Sequence, residues 1–437
     1  MPIYTDWTVH VGGFDGATGV TEGVPDDAVD FTSRVRSLTV DQQVELAALG
    51  RASATITLGN DDGALTPGGG GTYQAFDWFA QPVCITGRYG TSSPPSTKAG
   101  FYPFFTGVIH AVKFSDDSFD STLTLECLDW RAFMARWTRQ TASTFTAQSA
   151  VTVLVGYIWD VSVMPKFGAT NRSMTARYQG PFDDDYTGTV AIGDYANDAG
   201  ATLIASEAGF TFPATIEFAT DDTNYFQSIM PRNHLNNKTA ADTEVKFRDT
   251  SSALGDGEVP FRNLRLGWTT DDLVTQAVCN RVGGTASTAY DNTLSQTYGP
   301  RSIEYTNLYN VDDTATQALA DWWTTRFDTV EFTATGLEIT GGMIESHSNT
   351  SSATQAVVNL LMGECGFAMG ILYARTSIEW TGAGSTSNTA QVLPIRVRLS
   401  ARPDDWVMRL DVKPMATYGG FRLDDTIAGV LDTNRLG

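Results

Sequence analysis

The chain has 437 residues, 42% hydrophobic and 18% charged, enough for roughly two to four domains with cores of their own. Its 50 acidic and 29 basic side chains leave a net charge of −21, spread along the sequence with no basic cluster. That excludes a sequence-independent nucleic-acid binder, which needs grouped Lys and Arg to displace counterions. The absence of any uninterrupted run of about eighteen apolar residues excludes a helical membrane span.

The first unit covers residues 1–140. Met1-Pro-Ile-Tyr4 meets Asp6 before an apolar run forms, so no signal peptide is expected. Thr8–Val11 and Arg34–Val40 alternate like strands, and Asp41–Leu49 reads as a short helix or turn. A strand over Ala52–Gly59 enters the turn Asn60-Asp-Asp-Gly63. Gly68–Gly71 follows Pro67 as a loop, and Thr91–Thr97, with its Pro pair, is a loop between strands Pro82–Tyr89 and Phe104–His110. Ser115–Ser118 is a hairpin tip, and strand Thr122–Asp129 runs into a helical pattern over Trp130–Arg136.

The middle unit, 141–300, is mixed α+β. It has helical patterns at Ser149–Trp159 and, capped by Asp194, at Ala196–Ala208, separated by a Gly-, Asp- and Ser-rich excursion from Val163 to Gly193. Gly209–Pro213 and Ala214–Phe218 read as a hairpin and Thr243–Phe247 as a strand, while Asp271–Val282 suits either helix or strand. The last unit, 301–437, opens on a helix capped at Asp312, with Ala315, Leu319, Trp322 and Phe327 on one face. Strands Thr329–Thr333 and Gly336–Ile339, a loop Gly341–Ala353, a short amphipathic helix Thr354–Met362, and strands Tyr373–Trp380, Gln391–Ser400 and Val407–Pro414 complete it. No internal repeat is legible, although two β units flanking a mixed insert are consistent with an old duplication.

Residues able to do chemistry are sparse. Asp61-Asp62, Asp116-Asp117, Asp183-Asp184-Asp185, Asp221-Asp222 and Asp404-Asp405 are acid pairs in polar loops, whereas glycoside hydrolysis needs two carboxyls facing each other across a cleft. Asp183–Asp185 lacks the spacing of a calcium loop. His10, His110, His234 and His347 lie near no Gly-x-Ser-x-Gly elbow. Cys84, Cys127, Cys279 and Cys365 have no metal or redox spacing and read as buried free thiols of a chain made in a reducing cytoplasm. Gly68–Gly71 has no following Gly-Lys-Ser/Thr. Trp322-Trp323 reads as core and interface, with stacking on sugar as the other reading. No catalytic, cofactor-binding or metal residue is assigned, no cofactor is expected, and the chain reads as a non-enzyme.

The order of elements over Ala52–Arg136 resembles the first domain of siphophage tail-hub (baseplate-hub) proteins. Tyr298-Gly-Pro-Arg-Ser-Ile-Glu-Tyr305 followed by a helix and strands, after Val278-Cys-Asn-Arg-Val282, is similar to the passage that begins that family's second barrel. The ending Gly420-Phe-Arg-Leu-Asp through Gly429-Val-Leu-Asp to Arg435-Leu-Gly437 resembles minor tail proteins of actinobacteriophage type. The resemblance implies a mainly β fold with an α+β insert: two tail-tube-like β-barrel ring domains, 1–140 and 301–437, flank the middle hub domains at 141–300. It implies a structural protein at the virion tail tip, made in the host bacterial cytoplasm. It would be a homotrimer whose ring continues the tail tube, meeting the distal tail or tail tube protein, tape-measure protein, and tail fibre or tip proteins, with DNA passing through its lumen without specific binding. The alternatives are a carbohydrate-binding or glycan-degrading tail-tip protein, and a distal tail or fibre-adaptor protein.

Overall fold

A computed structural model describes residues 4–12, 20–21, 24–25, 28–67, 72–73, 76–79, 81–90, 102–117, 120–131, 135–159, 172–178, 184–218, 223–232, 245–249, 254–267, 270–330, 333–346, 351–363, 370–372, 374–382, 387–403 and 405–414. The expectations for Gly68–Gly71, Thr91–Thr97, Asp183, Asp221, Asp222, His234, His347, Cys365 and 420–437 lie outside them.

The architecture is mainly β with an α+β middle, as read from the sequence. In the N-terminal half, alternation writes the strands: along Arg51–Gly59, Ala52, Ala54, Ile56 and Leu58 point inward while Arg51, Ser53 and Thr55 face out. Strands Val35–Gln43, Arg51–Gly59, Asp120–Leu128, Tyr102–Asp117, Pro82–Gly90 and Tyr4–Val11 lie side by side in that order, each antiparallel to the next. Asp41–Gln43 thus continues a strand and Glu45–Leu46 forms another, where a helix or turn was expected. The tertiary ladder overrides a weak local signal.

In the C-terminal half the order is Arg262–Gly267, Thr333–Thr340, Asp405–Pro414, Ser387–Arg402 and Thr376–Thr381, again antiparallel. Val245–Arg248 and Glu258–Pro260 add to it in parallel. The halves fuse into one 14-stranded sheet because Leu38–Gln43 pairs with Arg396–Ala401. Among the described residues the path of paired neighbours runs open, from Glu258–Pro260 to Val29–Asp30.

A repeat absent from the sequence is present in the register. Tyr102–Asp117 and Ser387–Arg402 are both 16-residue strands. Each turns back after its last residue, at Asp117/Asp120 and Arg402/Asp405. In the first hairpin the ladder steps from Ile109↔Cys127 to Ala111↔Glu126 and skips His110. In the second it steps from Pro394↔Val412 to Arg396↔Asp411 and skips Ile395, the residue at the same distance from its turn. With these matched, Leu123 corresponds to Met408, Leu58 to Ile339 and Val35–Gln43 to the Arg262–Gly267 region, so both halves run through one strand order.

A single apolar core serves both halves. Helices Gly341–Glu345 and Ser352–Met362 of the C-terminal half lie against strands of the N-terminal half. Trp406 meets Trp7 edge to face at 5.9 Å and donates its indole N–H to the Thr5 hydroxyl at 2.8 Å.

The middle region carries two further cores. One packs Phe145, Leu154, Trp159, Tyr186 and Leu203 around helix Ala196–Glu207, and around Ala150–Val153, which runs on as a π-helical turn to Ile158. The other gathers Ala277, Cys279, Leu319, Trp322, Trp323 and Phe327 between helix Asp313–Arg326 and the sheet of Gln276–Arg281, Ser287–Tyr290 and Ser302–Leu308. Asp312 accepts from Ala315 N–H at 2.8 Å, the expected cap. Asp194 does not cap Ala196–Glu207; its carboxylate takes the Ala191 N–H instead, and Tyr195 holds the cap position without a side-chain bond. Phe210–Thr211 and Thr215–Phe218 do not pair as a hairpin, since both pair with Thr223–Met230. The Pro213 between them has no donor for a tight two-strand turn. Gln276–Arg281 is a strand, and the expected loop after Gly341 begins with a helix.

Candidate functional site: the joint between the two sheets

The place where the two halves meet is the most distinctive polar site among the described residues. Strand Ser387–Arg402 is held along one edge by Asp405–Pro414; its other edge is shared, Ser387–Val392 by Thr376–Thr381 and Arg396–Ala401 by Val35–Gln43. The change of partner falls at the Pro394–Ile395 irregularity, where the Val44 N–H takes the Ile395 carbonyl at 2.9 Å. Proline cannot donate to a ladder, which suits it to this break.

Arginine–carboxylate pairs line the joint and the outer face beside it. Arg396 Nε donates to Asp41 Oδ1 at 2.8 Å, and its Nη2 reaches Oδ2. Arg398 clasps Asp411 at 2.8 and 2.9 Å, and Arg265 reaches the same carboxylate at 2.6 Å. Glu338 receives Arg409 at 2.6 Å, Asn263 at 2.6 Å and Arg262 at 3.5 Å. Burial pushes the Glu338 carboxyl up, but these three partners outweigh it and hold it below the usual range.

Beside the joint opens a pocket of about 470 Å³, lined among others by Asp41, Arg51, Asp129, Arg131, Asn197 and Arg396. Asp129 is buried; its Oδ2 accepts from Ala52 N–H at 3.0 Å and from Arg131 at 3.1 and 3.3 Å. Burial raises its pKa more than Arg131 lowers it, and Glu45 nearby is raised for the same first reason against Arg51, Arg131 and Arg396. Asp41 and Asp129 are each engaged by an arginine, so the pocket's carboxylates serve to fix backbone and charge.

A second buried network ties the middle region together. Tyr186 donates its hydroxyl to Glu207, whose other oxygen meets the Arg232 N–H at 3.4 Å, while Arg232 Nη2 reaches Asp184 at 2.9 Å. Ser206 Oγ accepts from Tyr309 N–H at 2.8 Å, and Asn310 donates to the Ser206 carbonyl at 3.1 Å, locking the helix end onto the segment after Ser302–Leu308. No local pattern announces this network, because its members are far apart in the chain and only folding makes them neighbours.

The candidates for chemistry disperse. Asp61 and Asp62 sit at an exposed turn opposite Arg36 and Arg34, and the Arg34 hydrogen bond, with the Ala64 N–H, draws the Asp62 carboxyl down to about 2. Asp184 is taken by Arg232, Asp185 starts strand Asp185–Val190, and Asp405 accepts from the Trp406 N–H at 2.8 Å. Among the described residues no group of three or more His, Cys, Asp or Glu side chains is placed to hold a metal ion. His110 is exposed and 2.9 Å from Arg136. Cys84, Cys127 and Cys279 are buried and outside any disulfide; burial pushes Cys279 up to about 12, with Arg232 opposing. Trp322 and Trp323 are 8% and 5% exposed and pack with Tyr305 and Phe327, so this pair is core and not a sugar platform. Among the described residues no helix is long and apolar enough to cross a membrane.

Solved structures supply the class of fold. The chain matches the tail protein from Neisseria meningitidis over 94% of its own length and 98% of the other's, at 11% identity and a TM-score of 0.51. A 43 kDa prophage tail protein from Shewanella oneidensis matches at 10% identity and 0.49, with 94% and 98% covered. Prophage tail protein gp18 from Listeria monocytogenes matches at 9% identity and 0.42, with 92% and 94% covered. No family model matches the chain, and no curated protein does. The fold is therefore like that of the Neisseria meningitidis tail protein, the match with a TM-score above 0.5. The likeness is one of shape, at identities too low to carry roles residue by residue.

Proposed function

We propose that the chain is a non-enzymatic structural protein of a long-tailed phage, the tail-hub or minor tail protein that forms a ring at the distal tail. The ring continues the tail tube and links it to tip or fibre proteins. The observation that carries this reading is the duplicated strand order, joined edge to edge by Leu38–Gln43 and Arg396–Ala401, which supports one chain supplying two adjacent units of a ring wall. On this reading residues 1–140 and 301–437 are the ring domains and 141–300 the middle hub domains. Strands Val245–Arg248 and Arg262–Gly267 extend the second sheet, and helix Asp313–Arg326 packs with the middle one.

The assembly is a homotrimer, its partners the distal tail or tube protein above, fibre or tip proteins below and tape-measure protein near the lumen. The net charge of −21 suits a wall that repels passing DNA. The glycan-active reading called for an exposed Trp beside facing acids, and the burial of Trp322 and Trp323 weighs against it. Gold-labelled antibody against this chain, applied to virions from the source lysate, tests the proposal. Label at the distal end of the tail tube is the expected result. Label on heads or along fibres, or none on particles, overturns it.

A further inference from the structure

The internal joint has two halves, and among the described residues each recurs once without a partner strand. The acceptor is the edge Arg396–Ala401 of the long hairpin strand; its counterpart, by the skipped residue and the turn, is Ala111–Asp116. Pro82–Gly87 pairs with that strand only as far as Val108, and among the described residues no strand pairs with the same edge beyond it. The donor is Leu38–Gln43, the strand outside Arg51–Gly59; its counterpart outside Thr333–Thr340 is Arg262–Gly267, which among the described strands pairs on that side alone. The irregularities in Arg262–Gly267 cancel along its length: Arg262 stands where Ser37 stands and Gly267 where Gln42 stands.

Burial points the same way. Leu399, covered by the joint, is 2% exposed, and its counterpart Phe114 is 43% exposed. Val397 is 1% exposed, and its counterpart Val112 is only partly buried. The open donor strand carries Leu266, 41% exposed. Unpaired strand edges bearing large apolar side chains are a liability unless something covers them.

We infer that the open edge Val112–Asp116 of one copy receives strand Asn263–Gly267 of a second copy of this chain, antiparallel, with Leu266 opposite Lys113 and Gly267 opposite Val112. This repeats between copies the joint that Asp41 and Arg398, Gln42 and Val397 already make within one. Such a contact is head-to-tail: every copy gives one strand and takes one, so the same rotation repeats until a ring closes. The inference deepens the ring reading above and rests on it only for the ring's place in a virion.

The test uses two single variants of the full chain, Lys113→Cys and Leu266→Cys, under a short thiol crosslinker, with the unaltered chain as control for native thiols. The expected result is a crosslinked dimer from the mixture and none above control from either variant alone. Crosslinking of Lys113→Cys to itself, or absence of any crosslink in the mixture, overturns the inference. A second measurement is association of Phe114→Glu by analytical ultracentrifugation. Weakening by at least about tenfold with an unchanged melting temperature is expected, and unchanged association overturns the inference. Tail-tip labelling with failed crosslinking would reject this joint and keep the proposed function; crosslinking without tail labelling would do the reverse.

Discussion

Arg396 and Asp41 stand 355 residues apart in the chain and face each other across the joint, with Arg396 Nε 2.8 Å from Asp41 Oδ1. Their side chains are 33% and 37% exposed, so solvent screens much of the attraction, while the two-pronged geometry retains part of it. Replacing either residue with Ala is expected to lower unfolding free energy by about 1 kcal/mol, with a coupling in the double-mutant cycle of the same order or less. Chemical denaturation of the four proteins measures this, and a coupling of zero would remove the pair from any account of the joint.

Matched positions in the two hairpins are expected to have unequal costs. Leu399→Ala empties a buried site and should destabilise by about 2–5 kcal/mol. Phe114→Ala at the counterpart position removes a larger side chain from an open edge, and in the dissociated chain should change stability by no more than about 0.5 kcal/mol. Equal losses in dilute denaturation experiments would mean that the edge at Phe114 is already closed within one copy.

Much of this fold was legible because alternation and capping are local. Ala52–Leu58 reads as a strand from its side chains alone, and Asp312 announces its helix by accepting the N–H group of Ala315. The joint was not legible. Leu38–Gln43 carries the alternation of any half-buried strand, and nothing in it names Arg396–Ala401 as its partner. The duplication was hidden for a similar reason: His110 and Ile395 share a place in the ladder but no chemistry, since a skipped residue is defined by backbone pairing. Nothing in the helical pattern over Ala196–Ala208 singles out Glu207, and only the arrival of Tyr186 and Arg232 makes it a buried anchor.

Gly87 shows how closely the two halves approach. A Cβ there would lie 2.4 Å from the Met362 carbonyl oxygen and 2.9 Å from the Trp7 ring. Helix Ser352–Met362 delivers that carbonyl, burying Val357, Val358, Leu361 and Met362 and stopping at Gly363, whose φ of +106° favours glycine. Gly87→Ala should therefore cost about 1–3 kcal/mol by forcing the helix end off the sheet. Gly156→Ala, where an added Cβ meets nothing within 4 Å, is the control and should be close to neutral. Thermal unfolding of both variants separates the effects, and equal melting temperatures would refute the contact.

The Tyr186 hydroxyl gives the middle region a pH dependence of predictable sign. Burial, and next the charge of Glu207, hold its pKa well above the ordinary 10, so the folded state keeps the proton more tightly than the unfolded chain does. The contribution is fully present below about pH 10, the unfolded value, and is lost as pH rises from there toward the folded pKa. Tyr186→Phe removes a hydrogen bond to the buried Glu207 carboxylate. It should cost about 1–3 kcal/mol at neutral pH. Above about pH 10 the wild-type chain should lose stability faster than Tyr186→Phe, so the two curves converge as the difference between them narrows. Denaturation midpoints of both proteins across that range measure the slopes. Parallel curves would show that Tyr186 keeps its proton no more tightly in the fold than outside it.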